Sequence, residues 1–238
     1  MASSQHTKPS LVTFDVYMAL LDIQGGLARY VAETFALEQA RAAAFVKEWR
    51  AQQMLRAASS NSLARGHTSF SDCTHMALKY VCTRNGMDLK GDKADTLVSA
   101  WDRLPPWPEA DAALAVIRNS GVEIAVLSNG DQDMLEAVAT QFKTPFDHVL
   151  SAQSAGHYKP HPSVYALPEK HLGCARDEVL HVAGSSNDVL GAIAYGLKCI
   201  WSNRNDDAVL DPQFAPTATV TNLSEAAALV KEYIKDAN

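Results

Sequence analysis

Leu11-Val12-Thr13-Phe14 is a short apolar, β-rich run that ends on a carboxylate, Asp15. A run of this kind marks a strand buried on both faces. In an open α/β sheet, ligands bind beyond the carboxyl ends of the strands. No lysine or arginine adjoins Asp15 in sequence, so burying its charge requires partners from distant segments. The plainer alternative is that Asp15 caps the helix that follows.

The rest of the chain divides by texture. Helical spacing with frequent alanine covers Gly25–Phe35 and Ala40–Ala58, and Ser59–Ser71 reads as a loop. Ser71 and Asp72 are placed to cap a helix reaching about Asn85, where Gly86 stops it; Asp92–Trp101 is a fourth short helix. Leu104-Pro-Pro-Trp-Pro108 fits neither a helix interior nor a central strand. Beyond it, strands at Glu123–Leu127, His148–Ser151, Val179–Ala183, Lys198–Trp201 and Ala218–Val220 alternate with helices. Those helices cover Glu109–Ser120, Gln132–Phe142, Ser163–Leu172, Val189–Tyr195 and Ser224–Lys235. The alternation predicts an α/β fold, a Rossmann-like parallel sheet flanked by helices, with an inserted all-helical cap domain. The expected core domain is residues 1–22 and 104–238, and the expected cap domain is 23–103.

Composition narrows the function. A formal net charge of −6 argues against a nucleic-acid partner, which needs a basic face. No apolar run approaches a membrane span. The polar start MASSQHTKPS has no signal core and reads as a short disordered leader. Cys73, Cys82, Cys174 and Cys199 lack metal-type spacing and read as free thiols in a reducing, cytoplasmic setting.

Four segments fall at carboxyl ends of the expected strands: Asp15-Val-Tyr17, Ser128-Asn129-Gly130, Lys159-Pro160 and Gly184–Asp188. They offer a carboxylate, a hydroxyl, an amide, an ammonium and a second carboxylate, which is a nucleophile with an electrostatic frame. Each also has a plainer reading. Lys159 could be a surface lysine, Tyr17 and Tyr165 core aromatics, and Arg50 part of a solvated helix face. Ser128 or Asn129 could cap a helix, and so could Asp188.

In order and spacing, FDVYMALLD at Phe14–Asp22, LSNGD at Leu127–Asp131, YKPHPSVY at Tyr158–Tyr165 and HVAGSSNDVLGA at His181–Ala192 resemble the four motifs of the haloacid dehalogenase superfamily. The match spans nearly the whole chain, with the helical segment where that superfamily carries its cap. Within it the chain is most similar to the L-2-haloacid dehalogenases. The likeness rests on Trp49-Arg50, Pro106-Trp-Pro108, Ser128-Asn129, Lys159 with Tyr165, and the ending Trp201-Ser-Asn-Arg204.

Most members of the superfamily are magnesium phosphatases. They need a second Asp where this chain has Tyr17, and an acidic fourth motif where it has Gly184 and keeps only Asp188. A dianionic phosphoryl group would meet Asp15 uncompensated. No metal and no other cofactor is therefore expected.

The resemblance implies a hydrolase of small 2-substituted carboxylates, acting on L-2-haloacids through an aspartyl ester. In that scheme Asp15 attacks, Lys159 keeps it ionised with a low pKa, and Asp188 pairs with Lys159 and orients water. Ser128 and nearby backbone N–H groups bind the substrate carboxylate. Arg50 and Asn129 receive the halide, and Tyr17 and Tyr165 line the site. A homodimer, formed through the cap, is also implied.

Several residues depart from the family pattern. Met18-Ala19 replaces Gly-Thr, Ala183 replaces a Ser, Ser185 replaces an Asn, and Asn187 replaces an aromatic that walls the substrate pocket. Two alternatives follow from these departures. One is the same machinery with another leaving group, such as the ring nitrogen of L-azetidine-2-carboxylate. The other is a non-catalytic, degenerate member of the fold.

Overall fold

A computed structural model of the chain describes residues 7–63 and 65–236. Most of the expected leader, residues 1–6, lies outside the described residues. Its last part is anchored: the Thr7 hydroxyl donates to Asp177 at 2.8 Å and the Ser10 N–H to the Glu178 carbonyl at 2.9 Å.

Six strands form one parallel sheet: β1 Leu11–Phe14, β2 Glu123–Ser128, β3 His148–Ser151, β4 Val179–Ala183, β5 Lys198–Ser202 and β6 Ala218–Val220. Their order is β3-β2-β1-β4-β5-β6. The chain runs outward from β1 through β2 to β3, then returns to the other side of β1. That reversal makes the carboxyl edge beside β1 the crevice where ligands bind in such sheets. Every residue of β1 and of β4 is buried, as apolar strands covered on both faces must be.

Helices flank the sheet: α5 Ala110–Arg118, α6 Gln132–Ala139, α7 Ala152–Ala155, α8 Pro162–Tyr165, α9 Leu167–Leu172, α10 Ser186–Tyr195 and α11 Leu223–Asp236. The single helix expected over Ser163–Leu172 is two short ones joined at Ala166, each with a proline in its first turn. Helix α7 was not anticipated. It is one turn long, and the Ser151 side chain caps it.

Between β1 and α5 lie α1 Ile23–Phe35, α2 Gln39–Ser62, α3 Phe70–Arg84 and α4 Lys93–Ser99, then a 3-10 turn at Ala100–Arg103. The expected loop from Ser59 is shortened, because α2 runs on to Ser62. Asp22, not Asp15, caps α1, accepting from the Gly25 N–H at 2.9 Å. The cap of α3 is Ser69, not Ser71 or Asp72. Exit and return of the helical segment lie side by side, since Asp22 N–H donates to Pro105 and Trp107 N–H to Leu20, both at 2.9 Å.

Core and helical segment are tied across the crevice. Asp131 precedes α6 without capping it; its buried carboxylate accepts the Phe70 and Ser71 N–H groups at 2.8 and 2.9 Å. Asn61 and the Tyr158 backbone exchange two further hydrogen bonds of 2.7 and 2.9 Å. Asp131→Ala deletes two bonds to an ionised acceptor and is expected to cost about 2 kcal/mol locally. Hydrogen exchange should accelerate at Phe70 and Ser71 while the β1 and β4 amides keep their protection.

Candidate active site

Strand periodicity puts Thr13 and Asp15 on one side of β1. The Asp15 N–H is held by the Val182 carbonyl at 3.0 Å, and the residue is only 8% exposed. Ser128, the last residue of β2, donates its hydroxyl to Asp15 Oδ1 at 3.0 Å. Lys159 Nζ lies 3.5 Å from the same oxygen and 2.9 Å from Asp188 Oδ2. Oδ1 is therefore held by two donors, and no hydrogen bond engages Oδ2 among the described residues.

Asp188 is saturated further. His181 Nε2 approaches its Oδ2 at 2.9 Å, and the Tyr165 hydroxyl donates to Oδ1 at 2.8 Å. It does not cap α10; Ser185 does, accepting from the Asp188 N–H. That places Ser185 as a helix cap. Half-buried Asn187 makes no side-chain hydrogen bond among the described residues. Asn129 Oδ1 accepts the Lys159 N–H at 2.9 Å, which fixes the lysine backbone and turns the amide nitrogen the other way.

The charges distort one another. Burial raises the Asp15 carboxyl to about 6, against the opposing pull of Lys159. This corrects the expectation of a low pKa. Lysine sits nearer to Asp188, and Asp188 itself repels charge on Asp15. Asp188 is also penalised by burial, but Lys159 and His181 hold it well below the usual carboxylate range. The hydroxyl of Ser128 is likewise committed to Asp15 rather than left for a substrate carboxylate.

Tyr17 is buried and reaches into the helical segment. Its ring stacks on Phe70 at 5.4 Å and meets Trp101 edge-on at 5.5 Å, and its hydroxyl has no partner among the described residues. Arg50 is not on a solvated face. Its guanidinium lies 5.5 Å over the Trp101 ring and donates to Gln53 at 2.6 Å. Burial lowers its proton affinity, with the charge of Asp15 opposing that shift.

Two buried polar side chains here were not singled out from sequence. Gln53 passes the load from Arg50 to Thr74 through a 2.5 Å bond. The other is His181, flanked by Asp188 and Thr13. A polar residue interrupting the otherwise apolar VLHVA strand was the available signal.

Met18 has a φ of 79°, a left-handed conformation that costs most side chains about 1 kcal/mol. The turn is clamped: Trp107 Nε1 donates to the Met18 carbonyl at 3.2 Å, while Arg204 covers the Trp107 ring at 4.2 Å and pairs with Glu109. On the other side lies Gly184. A Cβ there would stand 2.3 Å from the Ala19 nitrogen, so the position has no room for an aspartate. Among the described residues, no three or more His, Cys, Asp or Glu side chains are grouped to hold a metal ion.

A parallel doubly wound sheet gathers a buried Asp-Ser-Lys-Asp constellation at its switch point, where open α/β sheets bind their ligands. The haloacid dehalogenase-like hydrolase family matches residues 9–196, and the chain belongs to that family. It is 31% identical over 214 residues to the (S)-2-haloacid dehalogenase of Pseudomonas sp. (strain YL), covering 89% of this chain and 90% of that one. It is 35% identical over 158 residues to haloacetate dehalogenase H-2 of Moraxella sp. (strain B), covering 66% and 70%. The structure also resembles L-2-haloacid dehalogenase from Xanthobacter autotrophicus with chloropropionic acid covalently bound. There the TM-score is 0.83 at 27% identity, over 94% of this chain and 98% of that one.

A carboxyl raised to about 6 in the folded state binds more protons there than in the unfolded chain between pH 4 and 6. Stability contributed by Asp15 therefore falls as pH rises through that window. Asp15→Asn should exceed wild type in stability at pH 7 by a margin on the order of 2 kcal/mol, and the margin should shrink toward pH 4. Denaturant melts across that range read it.

Proposed function

We propose that the protein hydrolyses L-2-haloacids to 2-hydroxy acids, with Asp15 as the nucleophile. What carries the reading is the asymmetry of the Asp15 carboxylate. Oδ1 is engaged by Ser128 and Lys159, so Oδ2 is the oxygen left to attack. Oδ2 displaces the halide in line at carbon 2, inverting that centre and forming an aspartyl ester. Water then adds to Cγ. The charge developing on Oδ1 is met by the Ser128 hydroxyl and the Lys159 ammonium, donors already in place. Collapse breaks the Cγ–O bond to the hydroxy acid, one water proton goes to the departing oxygen and the other is released to solvent, while Asp188 stays ionised and holds Lys159, which orients the water.

The other roles follow the family resemblance. Arg50 and the Asn129 amide receive the halide, Tyr17 and Tyr165 wall the site, and the substrate carboxylate takes backbone N–H groups beside Ser128. The division into a core of residues 1–22 and 104–238 and a cap of 23–103 gives the substrate a covered crevice. We take the protein to be cytoplasmic, in keeping with four free cysteines, and homodimeric. Leu55, Met76 and Tyr80, exposed on α2 and α3, suit contact between caps.

The test is incubation with L-2-chloropropionate and, in parallel, L-azetidine-2-carboxylate. Expected are one chloride per lactate of inverted configuration, no ring opening, loss of turnover in Asp15→Asn, and a dimer mass in solution. Ring opening without chloride release would replace the leaving group in this account. Turnover surviving Asp15→Asn would remove its nucleophile.

A further inference from the structure

The reaction above gives His181 no part, yet the residue is fully buried at the centre of the charge network. Its Nδ1 lies 2.8 Å from Thr13 Oγ1, and its Nε2 lies 2.9 Å from Asp188 Oδ2 and 3.4 Å from Lys159 Nζ. One placement of hydrogens satisfies these groups. The Thr13 hydroxyl donates to Nδ1, and Nε2–H donates to Asp188, which as a carboxylate can only accept. Thr13 and His181 are register partners on β1 and β4, so the sheet itself sets this geometry.

Oδ2 of Asp188 thus receives two donors, Nε2–H and the Lys159 ammonium. Other titratable groups around the imidazole are Asp15, one residue past β1, Tyr165 on α8, whose ring is 6.0 Å away edge-on, and Cys199, its register partner on β5. Burial and Lys159 disfavour the imidazolium, while Asp188 favours it.

We propose that His181 is a positioning residue for the nucleophile. By donating to the Asp188 oxygen that Lys159 also holds, it keeps Asp188 from drawing the whole ammonium charge, and so leaves Lys159 shared with Asp15. The inference rests on Asp15 being the nucleophile of the reaction proposed above. Without the imidazole, Lys159 closes on Asp188, and Asp15 loses part of its counter-charge and binds a proton more tightly.

The test compares wild type, His181→Phe and His181→Gln by NMR titration of isotope-labelled aspartate, with Asp15→Asn assigning the signal. Phenylalanine fills the space without a donor. Glutamine offers an amide N–H toward Asp188 and a carbonyl toward Thr13. The Asp15 midpoint should rise by about half a unit in His181→Phe and return to near wild type in His181→Gln. Below the acid limb of the profile, kcat/KM for a haloacid should fall about threefold in His181→Phe and recover in His181→Gln. A merely structural role would lower stability and leave both readings in place.

Should His181→Phe not fold, Thr13→Val, which frees the imidazole, is expected to move Asp15 in the same direction by less. An unmoved Asp15, or His181→Gln behaving like His181→Phe, overturns the proposal. If no haloacid is turned over by wild type, the proposed reaction fails while the Asp15 titration still decides the role of His181.

Discussion

One ammonium group faces two buried carboxylates. Lys159 Nζ stands 2.9 Å from Asp188 and 3.5 Å from Asp15, and each carboxylate needs it. An unpaired charge at that depth costs several kcal/mol, so neither acid tolerates its loss. The arrangement is uneven. Asp188 holds three donors and stays ionised, whereas Asp15 has the more distant lysine and one hydroxyl and carries the raised pKa. For Asp15 in the nucleophilic role proposed above, that inequality is an advantage, because a carboxylate less completely solvated by its surroundings is the more reactive one.

The fold exists around this pair of acids. Strands β1 and β4 are neighbours, so Asp15 and the start of α10 meet at one edge, and β2 and the segment after β3 bring Ser128 and Lys159 from the other side. The turn after Asp15 is fixed from two directions, by Trp107 on the Met18 carbonyl and by the bare face of Gly184. That clamp gives a physical sense to Gly184, where the phosphatases of the superfamily carry an aspartate. Above the edge, Phe70, Trp101 and Tyr17 supply an aromatic lining, and Asp131 ties the first turn of α3 to the core.

Much of this was legible in the chain. Strands His148–Ser151, Val179–Ala183 and Ala218–Val220 have the bounds their apolar runs suggest. Helix ends were harder, since capping depends on which side chain turns inward. Asp131 illustrates it: it stands at the N-cap position of α6, but its carboxylate serves α3 from another part of the chain. In the site, Asp15, Ser128, Lys159, Asp188 and Tyr165 do converge. That Lys159 serves both acids was implied by the resemblance; that it favours Asp188 and leaves Asp15 with a raised pKa was not readable, because the competition depends on distances set by sheet register. His181 was overlooked for the same reason. A lone histidine in a strand reads as a filler until the register shows that it stands beside Thr13.

The direct test of the central claim follows oxygen. A single turnover of a 2-haloacid, with enzyme in excess in heavy-oxygen water, is stopped and the protein digested. The account predicts label in the peptide carrying Asp15 and an unlabelled hydroxy acid, because the first product takes its oxygen from the side chain. Label in the hydroxy acid, with Asp15 unlabelled, would mean that water attacks the substrate directly and would contradict it.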